Sequence, residues 1–204
     1  MADNKILYHS GVIANCNYDD IESYPPCEVF DHAEHGSVAF QCDASRGIPG
    51  IMKIAANVFY SETPWVSAWK KFHERAEVDP AATYREFLRK INADLSKIKK
   101  PAIIVSGMHA EKLLNSATAE GPVILNGVEV VAYCWRIRPW WKEAIKVERL
   151  LELLATRYHC LGDFCCGCGN SAKIFAQEGK RFIVSDINPH CIGYIAHHAP
   201  GWFV

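Results

Sequence analysis

Apolar and polar positions alternate most regularly in the last third of the chain. Val147, Leu150, Leu151, Leu154 and Tyr158 fall on one helical face, and Glu148, Arg149, Glu152 and Arg157 on the other, which predicts a helix over 146–158. Tyr84, Phe87, Leu88, Ile91, Leu95 and Ile98 make the same kind of stripe and predict a helix over 80–98. The apolar run at 101–106 (PAIIVS) predicts a buried parallel strand, with a helix after it over 109–116. Alternation over 37–43 (SVAFQCD) predicts another strand, followed by a short helix over 45–54 and a strand over 57–61. Gly121-Pro122 and Asn126-Gly127 mark turns, the second suited to a hairpin, and 129–135 reads as a strand. Ile6 to Ile13 could add an edge strand, and the rest of the first 36 residues reads as loop.

Leu161 to Asn188 (LGDFCCGCGNSAKIFAQEGKRFIVSDIN) predicts a short strand, a glycine-rich turn, a helix and a strand ending in an acid. Gly167 and Gly169 lack Cβ atoms, so a ligand can approach the turn backbone. Asn170 or Ser171 is the expected helix cap, and Gly179 sits where a helix stops. Asn188-Pro189 then reads as a cap and first-turn proline for a last helix reaching about residue 199. Glycines beside a ribose and its charged tail, with Asp186 on the sugar hydroxyls, suit a nucleoside. The spacing departs from the dinucleotide fingerprint, because no glycine stands three residues beyond Gly169.

This stretch resembles the S-adenosylmethionine-binding motif of nucleic-acid amino-methyltransferases, whose turn reads roughly Asp-x-Phe-x-Gly-x-Gly. Asp163-Phe164-Cys165-Cys166-Gly167-Cys168-Gly169 fills that pattern with Phe164 one place early. The resemblance implies that Asp163, Phe164, Cys165, Gly167, Gly169, Asn170, Ser171, Asp186 and Ile187 hold S-adenosylmethionine. One strand–turn–helix–strand unit includes and follows the turn, too little to complete a doubly wound sheet. The remaining strands are therefore expected N-terminal to it, a circularly permuted order found in some classes of amino-methyltransferase.

That order predicts a catalytic motif in the first half of the chain. Glu62-Thr63-Pro64-Trp65, directly after the strand over 57–61, resembles the family's Asp/Asn-Pro-Pro-Tyr/Phe/Trp. An oxygen acceptor and the next backbone carbonyl would hold an exocyclic amine, and the aromatic ring would stack on a swung-out base. Asp43 would face the cofactor's adenine or ribose. Glu62 in place of Asp or Asn adds one methylene, and a displacement of about an ångström can cost roughly a hundredfold in rate. Thr63 replaces the first proline, although its carbonyl can still accept a hydrogen bond.

The resemblance spans about residues 37–199. It implies an α/β, Rossmann-like class I methyltransferase fold, a mostly parallel sheet with helices on both faces. Residues 1–36 would be an extension, and 37–204 one domain with a catalytic half (37–142) and a cofactor-binding half (143–199). The implied activity is methyl transfer from S-adenosylmethionine to an amino nitrogen of adenine or cytosine, in DNA, as in restriction–modification. Alternatives are transfer to RNA or a small molecule, or a non-catalytic relative that binds cofactor or nucleic acid.

Composition narrows the partners. With 204 residues, 50% hydrophobic, the chain can bury one substantial core. A net charge of −1 gives no global nucleic-acid signature, so phosphate contacts need local basic patches. The densest is Trp135 to Lys142, where Arg136, Arg138 and Trp140 could grip a phosphate backbone and stack on bases. Lys70, with Lys71, His73 and Arg75, could form a second rim around the same mouth.

Nine cysteines do not space like a secreted disulfide framework, and no signal peptide or membrane-spanning run is evident, so a cytoplasmic location is expected. The partners expected are DNA and no membrane, with a monomer or homodimer as the assembly. Cys160, Cys165, Cys166 and Cys168 crowd near His159 and could begin a zinc site, but the glycine turn accounts for them without one, and no metal is expected. Pro26-Cys27 could be read as the nucleophile of a carbon methyltransferase, yet no apolar strand precedes it.

Overall fold

The computed structural model describes residues 18–65, 68–79, 81–107 and 110–203. Its strands are β1 (Val29–His32), β2 (Ser37–Gln41), β3 (Val58–Glu62), β4 (Ala102–Ser106), β5 (Thr118–Leu125), β6 (Val128–Trp135), β7 (Ile145–Lys146), β8 (Cys160–Asp163) and β9 (Arg181–Asp186). The helices are α1 (Gly50–Ala55), α2 (Trp69–Arg75), α3 (Tyr84–Lys97), α4 (Val147–Arg157), α5 (Asn170–Gln177) and α6 (Pro189–His198). One sheet contains all nine strands in the order β1-β2-β9-β8-β3-β4-β6-β5-β7. The block β2-β9-β8-β3-β4 is parallel throughout, while β1 and the β5–β6 hairpin pair antiparallel at its flanks.

Side-chain alternation along the strands feeds two cores. Val58 and Tyr60 of β3 pack with Leu150, Leu154, Phe175 and Ile192 of α4, α5 and α6. Phe59 of the same strand faces the other way, onto Met52 of α1 and Phe87, Leu88 and Ile91 of α3. Helices therefore cover both faces of a mostly parallel sheet, as expected. Each fully buried Leu, Ile or Phe contributes roughly 1.5–3 kcal/mol, so both layers hold the sheet.

Most elements lie within a few residues of their expected bounds. The helix expected over 80–98 begins at Tyr84, where Thr83 and Glu86 form a capping box. The expected cap Asn188 accepts from the His190 N–H, with Pro189 in the first turn.

Three expectations differ. From Ala110 to Ala117 the chain makes isolated turns rather than a helix. Asn92 of α3 holds Asn115 and the Ser116 backbone at 3.0 and 3.1 Å, and such side-chain bonds compete with helical ones. Gly121-Pro122 is a register shift inside β5, not a turn between strands. Residues 29–32, read as loop, form the edge strand β1; two of its four residues are exposed, which blunted the apolar signal. The possible strand at 6–13 lies outside the described residues.

Parallel order places the carboxyl ends of β2, β9, β8 and β3 side by side. Gln41 pairs with Asp186, Asp163 with Val184, Phe59 with Gly162 and Glu62 with Val105. Strands β1 to β7 all precede the glycine turn in the chain, yet β8 lies centrally between β9 and β3. Ligands of open α/β sheets bind at such an edge, where the connections leave in opposite directions.

Candidate functional site

Asp163 ends β8 as a buried acceptor. Its Oδ1 accepts from Ser61 Oγ at 2.6 Å and from the Cys165 N–H at 3.0 Å, and its Oδ2 from Ser171 Oγ at 2.6 Å. Burial outweighs those three donors and pushes the carboxyl up to about 6. Asp163 thereby ties together β8, β3 and the start of α5.

The glycine turn follows. Gly169, not Asn170 or Ser171, occupies the cap of α5, with φ of 80°. A Cβ there would stand 2.9 Å from Ile195, so this glycine serves close packing against α6 rather than a ligand. Ser171 is instead bonded to Asp163. Gly167 lines the cavity, and a Cβ on it would meet nothing within 4 Å. Its N–H donates to Asp186 Oδ2 at 2.8 Å, while Asp186 Oδ1 accepts from the Asn188 N–H at 3.0 Å. Burial raises the Asp186 carboxyl, and those backbone donors oppose it.

On the other side, β3 runs into Glu62-Thr63-Pro64-Trp65. Tyr60 Oη donates to Glu62 Oε1 at 2.7 Å. Burial is the largest influence on Glu62 and lifts its carboxyl to about 7; the Tyr60 bond opposes this, and Asp163 and Glu148 add to it. A side chain so placed exchanges protons near neutral pH. Thr63 makes two bonds that a proline could not: its N–H donates to the Val105 carbonyl at 3.1 Å, and its hydroxyl to Ser106 Oγ at 2.8 Å. The Trp65 ring lies against Gly107, whose added Cβ would stand 3.3 Å from it.

A cavity joins these parts. Its walls include Asp43, Glu62, Thr63, Pro64, Trp65, Asp163, Phe164, Cys165, Gly167, Asn170, Ser171, Asp186 and Ile187. Apart from Gly169, every residue expected at the cofactor and catalytic sites is therefore on one cavity surface. Sequence reasoning missed Cys42, Ser45, Trp69, Phe72, Phe87 and the hairpin residues Leu125, Asn126 and Val128, which also line it. For the hairpin residues the available signal is the Asn-Gly turn at 126–127, which marks a hairpin but not where it points.

His73 also lines the cavity, buried at 3% exposure, instead of joining a solvated basic rim. Its Nε2 stands 3.9 Å from Asp43 Oδ1. The residues expected to touch nucleic acid are not on the cavity wall. Lys70 is exposed and pairs with Glu74 at 3.2 Å. The Arg136 guanidinium donates to the Leu95 carbonyl at 2.8 Å and to that of Ser96, satisfying the carbonyl end of α3. Trp140 packs on the core with Arg157 4.0 Å over its ring, and Arg138 is exposed. Cys27 lies where the Tyr24–Cys27 segment rides over α6: a Cβ on Gly193 would stand 1.9 Å from the Pro25 carbonyl oxygen, and the Cys27 thiol donates to the Val29 carbonyl.

Neither a protein-family model nor a curated protein matches the sequence. Solved structures do share the fold. TTHA0409 from Thermus thermophilus, a "Putative DNA Modification Methylase", superposes with a TM-score of 0.56 at 9% identity, covering 80% of this chain and 94% of that one. M1.HpyAVI superposes with a TM-score of 0.51 at 9% identity, covering 79% and 97%. Among the described residues, no helix is long and apolar enough to cross a membrane.

Proposed function

We propose that this protein is an S-adenosylmethionine-dependent methyltransferase acting on an exocyclic amino group of adenine or cytosine in DNA, with its sequence motifs in a circularly permuted order. The observation that carries this reading is the shared cavity, walled on one side by the glycine turn and Asp186 and on the other by Glu62 to Trp65. The fold likeness to TTHA0409, a "Putative DNA Modification Methylase", supports the same class.

The residues present fit the cofactor. Gly167 leaves open space at the turn, Asp186 stands at the end of β9 for a ribose diol, and Asn170 Oδ1, beside them, is buried without a hydrogen-bond partner. Bound there, S-adenosylmethionine would supply an electrophilic methyl group for in-line displacement. The protein's part is positioning. Glu62 and the Thr63 carbonyl accept hydrogen bonds from the target amine and turn its lone pair toward the methyl group. Trp65 stacks on the base after it leaves the helix. With its carboxyl held near neutrality, Glu62 also takes the proton that the amine releases, without a covalent enzyme intermediate.

Methylation of RNA or of a small-molecule amine is a second reading. The small-molecule form is favoured by the intramolecular contacts of Arg136 and Trp140, which thin the cationic rim that either nucleic acid would need. Incubation with methyl-labelled cofactor and separate DNA and RNA pools, followed by nucleoside mass spectrometry, tests both. N6-methyladenine or N4-methylcytosine in DNA is the expected product. Label confined to RNA would replace the first reading with the second, and no label in either pool would end both nucleic-acid readings and leave only the small-molecule amine.

A further inference from the structure

The loop at 62–65 lacks the first proline of the motif it resembles, and Thr63 stands in its place. A proline steadies a loop by locking its own φ, and threonine has no such lock. Here the restraint comes from outside the loop. The Thr63 N–H donates to the Val105 carbonyl at 3.1 Å, which carries the β3–β4 ladder one residue past Glu62. Its hydroxyl donates to Ser106 Oγ at 2.8 Å. Thr63 and Ser106 are 6% and 5% exposed, so this bond forms away from competing water.

Ser106 is a rigid anchor. It ends β4, which pairs with β3 on one side and with β6 on the other, where Ser106 lies opposite Val131. The next carbonyl, of Gly107, accepts from Tyr133 Oη at 3.2 Å. Tyr84, the first residue of α3, hydrogen-bonds to the side chains of both Ser106 and Thr63, and these bonds oppose the upward push of burial on its phenol. Its ring packs on Trp69, with centroids 5.7 Å apart. Hydroxyls from β4, the loop and α3 thus share one network. Alanine, valine and phenylalanine would fill the same space; hydroxyls add direction, which apolar packing lacks.

We infer that Ser106 and Tyr84 are positioning residues for methyl transfer, acting through Thr63 to hold the loop that a first proline would otherwise stiffen. The inference rests on the catalytic reading above. Among the described residues, the cavity wall includes Thr63 but neither Ser106 nor Tyr84, so neither is assigned a contact with target or cofactor. Val105 holds the Thr63 N–H and the two hydroxyls hold its side chain, which fixes the residue that carries the carbonyl acceptor. Glu62 precedes this residue and Trp65 lies two places beyond it, so a pivot at Thr63 moves the acceptor oxygen and the stacking ring together. A displacement of about an ångström at a reacting centre can cost roughly a hundredfold in rate. Loss of the network therefore slows the chemical step more than it weakens binding.

The test measures single-turnover methyl transfer by the whole protein at saturating DNA and cofactor, together with the KM for DNA. Ser106→Ala and Thr63→Val each remove one end of the buried bond, and each should slow transfer by about ten- to a hundredfold. The KM and the calorimetric affinity for S-adenosylmethionine should stay within about threefold. Tyr84→Phe removes only a hydroxyl and should slow transfer by about three- to tenfold. Thr63→Ser keeps the hydroxyl and should transfer within about threefold of the unaltered protein. The Ser106→Ala, Thr63→Val double variant should be no more than about threefold slower than the slower single, because both changes break one bond. Rates are compared between proteins whose circular dichroism matches; should Thr63→Val not fold, Ser106→Ala paired with Tyr84→Phe gives the same cycle. A raised KM with unchanged rate, single effects that multiply, or Thr63→Ser as slow as Thr63→Val would overturn the inference and leave the catalytic reading standing. No transfer to DNA by the unaltered protein would overturn both.

Discussion

The two walls of the cavity are assembled in different ways. Asp163, Gly167, Ser171 and Asp186 belong to one continuous strand–turn–helix–strand unit and are joined by hydrogen bonds of 2.6 to 2.8 Å. The opposite wall collects Asp43, Glu62 to Trp65, Trp69, His73 and the 125–128 hairpin from segments that meet only through the strand order of the sheet. The first wall is a local motif whose geometry resists change. The second is a tertiary assembly whose side chains come from separate segments and meet only through long-range packing. The contrast teaches that substitutions in the first wall should register as lost stability or lost cofactor affinity, and those in the second mainly as lost chemistry.

Glu62→Ala should give the largest effect. Methyl transfer is expected to fall by about three orders of magnitude or more, the range for loss of a positioned proton acceptor together with its orienting role. Cofactor affinity by calorimetry should stay within about threefold, since Glu62 is assigned to the target amine. Equal loss of both would erase the division between the walls. Asp163→Ala should do the reverse and act first on stability. It strips three buried donors of their acceptor, and urea unfolding is expected to show a loss of about 2–4 kcal/mol.

The glycine pair gives a finer separation. Gly169→Ala forces a Cβ within 2.9 Å of Ile195 at a left-handed backbone position and should cost about 1–3 kcal/mol. Gly167→Ala adds its methyl to open cavity space and should cost less, about 1 kcal/mol, while weakening cofactor affinity more than the Gly169 change. Reversal of that order would mean the ligand lies against Gly169 instead.

A pH dependence separates the walls in a different way. The folded Glu62 carboxyl is lifted to about 7, above its ordinary value near 4.5. Its contribution to stability is therefore fully present below the ordinary value and is lost as pH rises through about 7. Glu62→Gln removes the charged form, so urea midpoints of variant and unaltered protein should diverge in the variant's favour between about pH 5 and pH 8. A parallel pH dependence in the two proteins would show that Glu62 is not desolvated.

Much of the first wall was legible in the sequence because its signals are local. The Val147 to Tyr158 stripe, the apolar run into Asp186 and the Asn188-Pro189 cap each need only neighbouring residues to take effect. Even there, Gly169 was read for a ligand when its missing Cβ makes room for Ile195, a contact from the next helix. The second wall was legible only through the resemblance at 62–65. His73 and Trp69 lie in a stretch that reads as basic and solvated, and only the fold of α2 over Asp43 buries them. Arg136 likewise looked like a phosphate ligand, yet the carbonyls at the end of α3 claim its guanidinium. Long-range partners decided these cases, and a charge or a ring carries no mark of which partner it will meet.

The central claim is that the cavity between the two walls holds a sulfonium nucleoside against Gly167 and Asp186. Calorimetric titration of S-adenosylmethionine into the unaltered protein and Asp186→Ala tests it most directly. Binding in the micromolar range, weakened about a hundredfold or more by loss of the carboxylate, is the predicted result. No binding to the unaltered protein, or equal binding to both, would contradict it.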